Sequence, residues 1–522
     1  MSVSPLYDCI IKNAKIFHRG LAPVTEDIAI KNGSIVARGT SLDEGASKSV
    51  IDGTGKWLMP GLFDIHTHYD LELEVAAGLP ESTRHGTTSV VIANCSLGLA
   101  FGSQRKDNAD PIVDCYARVE NIPKSVLKNC ADKVNWKTPS EYLNHLETLN
   151  LGPNVITLLP HSMLRIEVMG FQDSIGRDPT DDEIVSMQKI ISDALDDGYV
   201  GLSTDALPFH YLANSPNTDK TIPTQFAKYD EIKSLLSIVR EKEGIWQATP
   251  PKDSVSETLK TFFLTSGRFH GKPLKTTVVA ALDVENNFKI LRLAKLLSKI
   301  LNSKWVGGKF YMQALAAPFK TWADGVITPL SEKIPELRLL NEMDLEDREG
   351  RLALMTDPKF KAAFIDMWMK GKEGFSMDTI KRVINLEDYA FNREMADMHI
   401  EYCPQKVWQG LSFEGVYMRM MACRADDRPE DMREQELAFF NEHFHEIRTE
   451  GEFVLKLLCL FDTDLKWSTV SANRSLETVR ETLMDPLLLP GFNDSGAHLS
   501  NMAFYDGNLR ALKLASLGGE SD

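Results

Sequence analysis

Two histidines one residue apart, His66 and His68, follow a Met-Pro-Gly turn in the stretch MPGLFDIHTHYD. In a β-strand the side chains at i and i+2 point to the same face, so both imidazoles would project together and could bind one metal ion. Asp64 shares that face and could accept a hydrogen bond from a ligating imidazole. Taken alone, such a pair more often contains one buried and one surface histidine, so further ligands are needed.

Two more residues end predicted strands and complete this candidate site. Cys95 closes the run TTSVVIANC; most cysteines are small buried hydrophobes, but beside two histidines a thiolate is a soft ligand for Zn²⁺. Asp494 lies in GFNDSGAH, where it could bind the metal or carry a proton from the attacking water to the leaving group. The alternative is a turn aspartate that caps the next helix. The predicted metal ligands are thus His66, His68, Cys95 and Asp494, with Asp494 also catalytic.

Four further residues are secondary candidates. His161 in LLPHSMLR and His210 in STDALPFH end predicted strands and are additional metal-ligand candidates, with a structural role as the alternative. Arg165 could pair with a substrate carboxylate, because its planar guanidinium suits that geometry, or it could form a structural salt bridge. His498, four residues after Asp494, is a candidate for substrate binding.

The elements that must position these residues change in pattern along the chain. Residues 1–60 are predicted to form a small β domain, with a hairpin at Asn32-Gly33. Residues 61–522 alternate short apolar runs with amphipathic helical segments, which predicts a (β/α)8 barrel whose active site lies at the carboxyl ends of the strands. The eight strand candidates are GLFDIHTH, TTSVVIANC, VITLLPHSM, YVGLSTDA, GIWQATP, TTVVAALD, KWSTVSA and PLLLPGFNDSG. A Met-, Glu- and Arg-rich stretch at about 330–440 is predicted to be a helical excursion from the barrel.

Composition limits the partners and the location of the protein. The 522 residues include 58 Lys and Arg against 74 Asp and Glu, for a net charge of −16, which argues against nucleic acid or an anionic membrane as a partner. No apolar run approaches the roughly 20 residues needed to span a bilayer, and no secretory signal is visible. Seven scattered cysteines without a CxxC pair indicate reduced thiols and a cytoplasmic location.

The motifs MPGLFDIHTHYD, HGTTSVVIANCS, LLPHSMLRIEVMG, GLSTDA and GFNDSGAHL together resemble the amidohydrolase superfamily, and within it the metal-dependent D-aminoacylase (N-acyl-D-amino-acid deacylase) branch. The resemblance implies an α/β fold, a distorted TIM barrel beside a small N-terminal β-sandwich. It also implies that a hydroxide on one or two zinc ions hydrolyses the amide bond of an N-acyl-D-amino acid or similar N-acyl amine. The family's metal-bridging cysteine falls on Cys95, its HxH pair on His66 and His68, and its catalytic aspartate on Asp494. Whether the protein forms a homo-oligomer is left open.

The sequence departs from the family pattern at the metal site. Related deacylases carry ligating histidines at the ends of strands five and six, where this chain offers Gln247, Thr249 and Asp283. We therefore expect a rearranged site, to which His161 or His210 contributes, or a weaker one. The lysine that many superfamily members carboxylate is absent from YVGLSTDA, so a bridging carbamate is not expected.

A second departure concerns the end of the sequence. The chain stops 28 residues after Asp494, whereas chains of this superfamily return from the barrel to complete the β-sandwich. We therefore expect a sandwich that is incomplete at its C-terminal side, in a fragment or in a protein whose missing strands come from another polypeptide. Two other functions stay open, a hydrolase of cyclic amides or formamides and a catalytically degenerate subunit.

Overall fold

The computed structural model describes residues 6–17, 22–250, 255–387, 393–425 and 427–516. The chain divides into two compact units, Met1–Leu62 and Phe63–Asp522. No helix among the described residues is long and apolar enough to cross a membrane.

The N-terminal unit is a five-stranded sheet. Its strands are β1 (Cys9–Ile16), β2 (Val24–Lys31), β3 (Ser34–Gly39), β4 (Val50–Asp52) and β5 (Trp57–Leu58). The order is β3-β2-β1-β4, with β5 also on β1, and β2 and β3 pair antiparallel across a turn at Asn32-Gly33. Both turn residues have positive φ, 49° and 73°, as a two-residue hairpin turn requires, so the predicted hairpin is confirmed. Ile10, Ile28 and Ala29 are buried in this sheet.

The second unit is α/β and is built on parallel strands. The strands are β6 (Leu62–Asp64), β7 (His66–Thr67), β8 (Thr87–Ile92), β9 (Asn154–Thr157), β10 (Leu159–Pro160), β11 (Gly201–Ser203), β12 (Ile245–Ala248), β13 (Lys275–Ala281), β14 (Lys309–Ala314), β15 (Phe319–Asp324), β16 (His399–Tyr402), β17 (Lys466–Ala472), β18 (Leu488–Pro490) and β19 (Phe492–Ser495). A six-stranded sheet has the order β10-β11-β12-β13-β14-β18, and its pairs are all parallel. Two smaller sheets have the orders β6-β8-β9 and β19-β7.

Helices separate most of these strands. They are α1 (Leu73–Ala76), α2 (Pro80–Arg84), α3 (Pro111–Val119), α4 (Lys124–Ala131), α5 (Pro139–Thr148), α6 (His161–Met169), α7 (Phe171–Ser174), α8 (Asp181–Asp197), α9 (Tyr229–Glu241), α10 (Val255–Phe262), α11 (Gly267–His270), α12 (Lys289–Leu301), α13 (Pro335–Asn341), α14 (Arg348–Thr356), α15 (Pro358–Met369), α16 (Met377–Val383), α17 (Phe413–Arg424), α18 (Glu434–His443), α19 (Glu450–Phe461), α20 (Leu476–Leu483) and α21 (Gly507–Ser516). Local signals set their ends: α8 begins with a capping box between Thr180 and Glu183 and ends at Gly198.

One predicted barrel strand is wrong. The run KWSTVSA is β17, which lies in an antiparallel sheet of order β15-β17-β16 and not among the parallel strands. The parallel strand that sequence reasoning missed is β14, KFYMQA, which pairs with β13 and β18. The start of β14 alternates exposed and buried residues, whereas β17 is mostly buried after Lys466. A short apolar run indicates a strand but not the strands that it pairs with, so the sequence could not decide between the two.

The helical excursion predicted at about 330–440 is part of a larger inserted region. It runs from β15 to β17, contains helices α13–α19 and has its own apolar core. Trp408 lies in this core with Phe440 stacked on it at 5.3 Å between ring centroids. A buried ion pair between Arg118 at the end of α3 and Glu332, at 3.0 and 2.7 Å, ties the region to the parallel-strand part of the unit.

Candidate active site

The strand β7 brings the two ends of the second unit together. His66 and Thr67 of β7 pair with Phe492 and Ser495 of β19, so residues more than 400 positions apart in the sequence become neighbours. The imidazoles of His66 and His68 are both buried. We expected Asp64 to accept a hydrogen bond from an imidazole ring, but it does not. It accepts hydrogen bonds from the backbone N–H of His66 (3.3 Å) and the hydroxyl of Ser495 (2.8 Å). Asp64 therefore fixes the strand that carries the histidine.

Cys95 lies in a tight loop after β8 in which several residues have left-handed backbone angles. Ala93, Cys95 and Ser96 have φ of 60°, 50° and 70°, a conformation that costs free energy for residues other than glycine. Hydrogen bonds from the loop to neighbouring strands offset this cost: the Cys95 N–H donates to Gln247 Oε1 (2.9 Å), and the Ser96 N–H donates to Ser203 Oγ (3.2 Å). The loop thereby holds the Cys95 thiol beside the histidines.

His66, His68 and Cys95 form a compact group. One ligand atom from each of the three side chains lies within 4.8 Å of the other two, and Cys95 Sγ is 3.4 Å from His66 Nε2. Among the described residues this is the one group of three or more His, Cys, Asp or Glu side chains with that geometry. Asp494 adds a carboxylate, since its Oδ1 is 3.3 Å from His68 Nε2 and 3.7 Å from His66 Nε2. The four residues predicted as metal ligands therefore converge.

Glycine is required next to this group. Gly496 has a φ of 83°, and a Cβ at this position would lie 2.7 Å from the ring of Tyr69 and 3.0 Å from the backbone carbon of His68. Asp494 itself has a φ of 51°. The DSG turn after Phe492 thus places its carboxylate against the histidines only because the chain can pass this close to β7.

The site sets the protonation states of its residues. Burial lowers the pKa of His66 to about 3 and raises the pKa of the Cys95 thiol to about 12. For Asp494, burial is outweighed by the hydrogen bond and positive charge of His68, so its pKa falls to about 2. For His68, burial is outweighed by the negative charge of Glu120 and the hydrogen bond with Asp494, so its pKa rises. Without a bound cation, Asp494 is therefore an ionised carboxylate beside the protonated imidazole of His68, the neutral imidazole of His66 and the protonated Cys95 thiol.

Sequence reasoning missed Glu120, which directly orients His68. Its Oε1 is 3.2 Å from His68 Nδ1, and its Oε2 accepts the backbone N–H of His498 at 3.2 Å. Glu120 caps the C-terminal end of α3 and is almost completely buried. Nothing in the local sequence ARVENIP distinguishes it from a solvated acid. Only its burial against His68 reveals its role, which is to leave Nε2 of His68 free to act toward the site.

These residues line a cavity of about 280 Å³. His210 and His498 also line it, and His210 Nδ1 lies 3.0 Å from Asp205 Oδ2, which the sequence did not single out. Most of the remaining lining is apolar: Val119, Leu207, Phe209, Pro250, Val279, Ala280, Leu282, Val284, Ile290, Phe319, Pro329, Leu330, Ala472, Phe492 and Met502. Such a lining suits an apolar substrate group.

Two predicted residues do not reach the site. His161 has both ring nitrogens within hydrogen-bond distance of other side chains, Nδ1 with Thr224 Oγ1 (2.9 Å) and Nε2 with Glu231 Oε1 (3.1 Å). Arg165 is fully buried and pairs with Glu231 and with the Ser174 carbonyl. Neither side chain lines the cavity. The histidine and arginine brace the fold, which was the alternative that the sequence left open.

The three residues at which we expected a rearranged metal site, Gln247, Thr249 and Asp283, make structural contacts. Gln247 supports Cys95, and the Thr249 hydroxyl donates to Asp205 Oδ1 at 2.9 Å. Asp283 forms backbone hydrogen bonds with Asn473, and its side chain is not among the cavity-lining groups. These three residues therefore add no ligand to the group of His66, His68 and Cys95.

The donor set fits a soft divalent cation. Two imidazole nitrogens, a thiol sulfur and a carboxylate oxygen are the ligands that zinc prefers in proteins. Nε2 of His66 lies 3.4 Å from Cys95 Sγ and 3.7 Å from Asp494 Oδ1, and Nε2 of His68 lies 3.3 Å from the same oxygen. These four atoms carry lone pairs, so a cation between them would be bound by all four.

No protein-family model matches the chain. An uncharacterized protein of Mycobacterium tuberculosis is 32% identical over 518 residues, which are 98% of this chain and 77% of that protein. The N-acyl-D-aspartate deacylase of Alcaligenes xylosoxydans is 32% identical over 41% of this chain and 39% of its own length.

Two solved structures share the fold at 16% identity. They are the N-acyl-D-glutamate deacylase of Bordetella bronchiseptica, with a TM-score of 0.56 over 97% of this chain and 82% of that one, and a D-aminoacylase, with a TM-score of 0.50 over 94% and 76%.

Proposed function

We propose that the chain is a member of the amidohydrolase superfamily and a metal-dependent hydrolase of an amide bond other than a peptide bond, because it is similar in sequence to an N-acyl-D-aspartate deacylase and shares its fold with an N-acyl-D-glutamate deacylase. The substrate class that we propose is an N-acyl-D-amino acid or a similar N-acyl amine. The curated relatives include deacylases of N-acyl-D-aspartate and N-acyl-D-glutamate, which supports the N-acyl group as the common feature.

The observation that carries this proposal is the convergence of His66, His68, Cys95 and Asp494. Residues from both ends of the second unit meet in a buried group at the end of an apolar cavity. The donor types are those of a zinc site, and a single group of this kind among the described residues supports one cation. A bound Zn²⁺ would activate water as a nucleophile and polarise the scissile carbonyl.

Asp494 is the residue that we propose to move the proton. Its carboxylate is ionised at neutral pH, because its pKa lies near 2. It accepts the proton of the attacking water at Oδ1 and returns it to the nitrogen of the departing amine. Glu120 lies 3.2 Å from His68 Nδ1, and His68 Nε2 lies 3.3 Å from Asp494 Oδ1. Glu120 and His68 thereby position the site, and Asp494 alone carries the proton.

His210 and His498 are proposed to contact the substrate, since both line the cavity that contains the metal-ligand group. Asp205 orients His210 through Nδ1. Arg165 has no part in substrate binding, because its guanidinium is buried against Glu231. The apolar lining supports a substrate whose acyl group or side chain is apolar.

We also propose that the parallel strands close a barrel. Three stretches, residues 62–67, 154–160 and 488–495, each consist of two short strands in succession. In each stretch the first strand pairs with one neighbouring strand and the second strand pairs with a different one. Joining the two halves of each stretch gives a ring of eight strands in which β14 is the seventh. This supports the distorted TIM barrel of the superfamily.

A substrate panel tests the proposed function. Purified protein loaded with zinc is assayed with N-acetyl-D-amino acids, their L-isomers and hydantoins. We expect turnover of the D-compounds, and Asp494→Asn should lower kcat by about 10²–10⁴-fold, which is the range for loss of a general acid–base group. Cys95→Ala should lower kcat/KM by more than about 100-fold and reduce bound zinc.

Each alternative function has its own signature in this panel. Turnover of the hydantoins alone would instead support a cyclic amide hydrolase. Protein that contains no metal and does not recover it from added zinc would support a degenerate subunit. Cys115→Ala is a matched control, because Cys115 is equally buried but lies in α3 outside the cavity lining.

A further inference from the structure

Helix α12 has an apolar stripe on its exposed side. Its buried face consists of Leu291, Ala294, Ser298 and Leu301. On the other side, Leu293, Leu296 and Ile300 are 49%, 52% and 40% exposed. Their spacing of three and four residues places them on one line along the helix. A helix that packs on a parallel sheet ordinarily has polar residues there, so this face needs a partner.

Further exposed apolar side chains lie near both ends of the helix. Phe288, just before it, and Ile290, in its first turn, are 39% and 37% exposed, and Trp305, four residues after its end, is 82% exposed. Single exposed apolar side chains are common on protein surfaces, but a continuous set on one element marks an interaction surface. We call Leu293, Leu296, Ile300 and Trp305 the α12 stripe.

The charge around the stripe is opposite to that of the whole chain. Residues 286–323 contain seven Lys or Arg and no Asp or Glu, in a protein of net charge −16. The seven are Lys289, Arg292, Lys295, Lys299, Lys304, Lys309 and Lys320. At 100° per residue, Arg292, Lys295 and Lys299 form a row along one flank of the stripe. Within the part of the chain that the structure describes, none of these three lies within 4.0 Å of a carboxylate oxygen.

We propose that α12 docks this face onto an anionic lipid surface. An apolar stripe flanked by Lys and Arg is the pattern of a helix that lies in the plane of a membrane interface. The apolar side chains enter the boundary between headgroups and acyl chains, the cations contact the headgroup phosphates, and the Lys and Arg stems reach along the apolar surface. Trp305 adds an aromatic ring of the type enriched at membrane interfaces. A nucleic acid would match the charge but not the stripe.

The position of α12 connects this surface to the cavity. Asn286, Asn287 and Ile290, at the start of the helix, line the cavity that contains His66, His68 and Cys95. An amphiphile in the membrane leaflet that faces the protein would therefore lie close to the largely apolar cavity, which residues at the start of α12 line. If the proposed function holds, on which this step rests, the substrate is an N-acyl amine or amino acid with a long acyl chain.

Vesicle binding tests the docking surface without any substrate. The full chain is mixed with equimolar phosphatidylcholine–phosphatidylglycerol vesicles and, separately, with pure phosphatidylcholine vesicles, and the bound fraction is measured by flotation. We expect binding to the anionic vesicles that is weak on neutral ones and decreases with salt. Lys295→Glu with Lys299→Glu should lower the partition coefficient by at least about tenfold, and Leu293→Glu with Leu296→Glu should abolish binding.

The matched control reverses two exposed lysines elsewhere. Lys359→Glu with Lys361→Glu, on α15, changes the net charge equally and should leave binding within about twofold of the wild type if charge acts locally. Thermal unfolding of every variant shows whether it is folded. The proposal is overturned if the wild type does not bind anionic vesicles, or if the α15 and α12 charge variants lose binding equally. It is also overturned if the stripe instead joins two copies, seen as a dimer that Leu293→Glu with Leu296→Glu converts to monomer.

Activity on two substrates separates this inference from the proposed function. The α12 variants should hydrolyse a short soluble N-acyl amino acid at the wild-type rate. On a long-chain N-acyl amino acid embedded in anionic vesicles they should be at least about tenfold slower. Vesicle binding without any hydrolysis would support the docking surface and refute the proposed hydrolase. Hydrolysis without vesicle binding would support the hydrolase and refute the docking surface.

Discussion

At the scale of single residues, the site depends on side chains that hold other side chains. His68 is useful only if its ring is fixed, and Glu120 fixes it from the side opposite Asp494. His66, His68, Cys95 and Asp494 could be proposed from the sequence because they end predicted strands in short motifs. Glu120 could not, because an acid at the end of a helix is ordinary unless it is buried.

A substitution of Glu120 tests this support. Glu120→Gln keeps the shape of the side chain but removes the negative charge that faces His68 Nδ1. We expect zinc affinity to fall by about 10–100-fold, the usual effect of losing the acceptor behind a ligating histidine. Affinity is measured by competition with a chelator, and kcat/KM is measured at saturating zinc. Glu74→Gln is the control, since Glu74 lies 3.0 Å from His145, a histidine outside the cavity; an equal loss in both variants would contradict the role of Glu120.

At the scale of elements, buried ion pairs join helices that the sequence shows only separately. Glu231 of α9 contacts His161 and Arg165 of α6, and all three side chains are buried. Glu231→Gln leaves the Arg165 guanidinium buried without its partner charge, so we expect the free energy of unfolding to fall by about 3–5 kcal/mol. Denaturant unfolding measures it. Asp193→Asn, which breaks the exposed pair with Lys189, should cost less than about 1 kcal/mol.

The same substitution has a pH dependence of known sign. Burial raises the pKa of Glu231, but the hydrogen bond and charge of His161 and the charge of Arg165 outweigh it, so the pKa lies below its ordinary value of 4.5. A carboxylate with a lowered pKa stabilises the fold above that ordinary value, and this stabilisation is lost as the pH falls through the folded-state pKa. The difference in stability between wild type and Glu231→Gln should therefore narrow below pH 4.5. A constant difference would contradict an ionised Glu231.

At the scale of the whole molecule, the proposed metal ligands come from distant parts of the second unit. His66 and Asp494 lie near its two ends, and Cys95 lies in the loop after β8. A cation that binds them stabilises only the folded state. Zinc at about 100 times its Kd should therefore raise the free energy of unfolding by about 2.7 kcal/mol. Calorimetry with and without zinc measures the shift in Tm. Cys95→Ala should lose most of it, and a wild-type Tm unchanged by zinc would contradict the site.

Charge also has to be judged locally. The net charge of −16 led us to expect no anionic membrane partner, but that value is an average over the whole chain. The segment 286–323 reverses it, with seven cations and no acid beside an exposed apolar stripe. Binding to a membrane depends on the charges and apolar side chains at the contact itself, because exposed charges farther away than about a Debye length are screened.

The sequence by itself was enough to propose the site residues and to locate the strands that carry them. His66, His68, Cys95 and Asp494 lie in short motifs at predicted strand ends, and strand periodicity is local, so both can be seen without neighbours. The tertiary structure alone decided which strands pair, as β14 and β17 show. It also decided which polar side chains are free to act: Glu120 and Asp205 support the site, whereas His161 and Arg165 are occupied by Glu231. The hydrogen-bond partners and the burial of a side chain depend on residues far apart in the chain, so they cannot be inferred from a local sequence pattern.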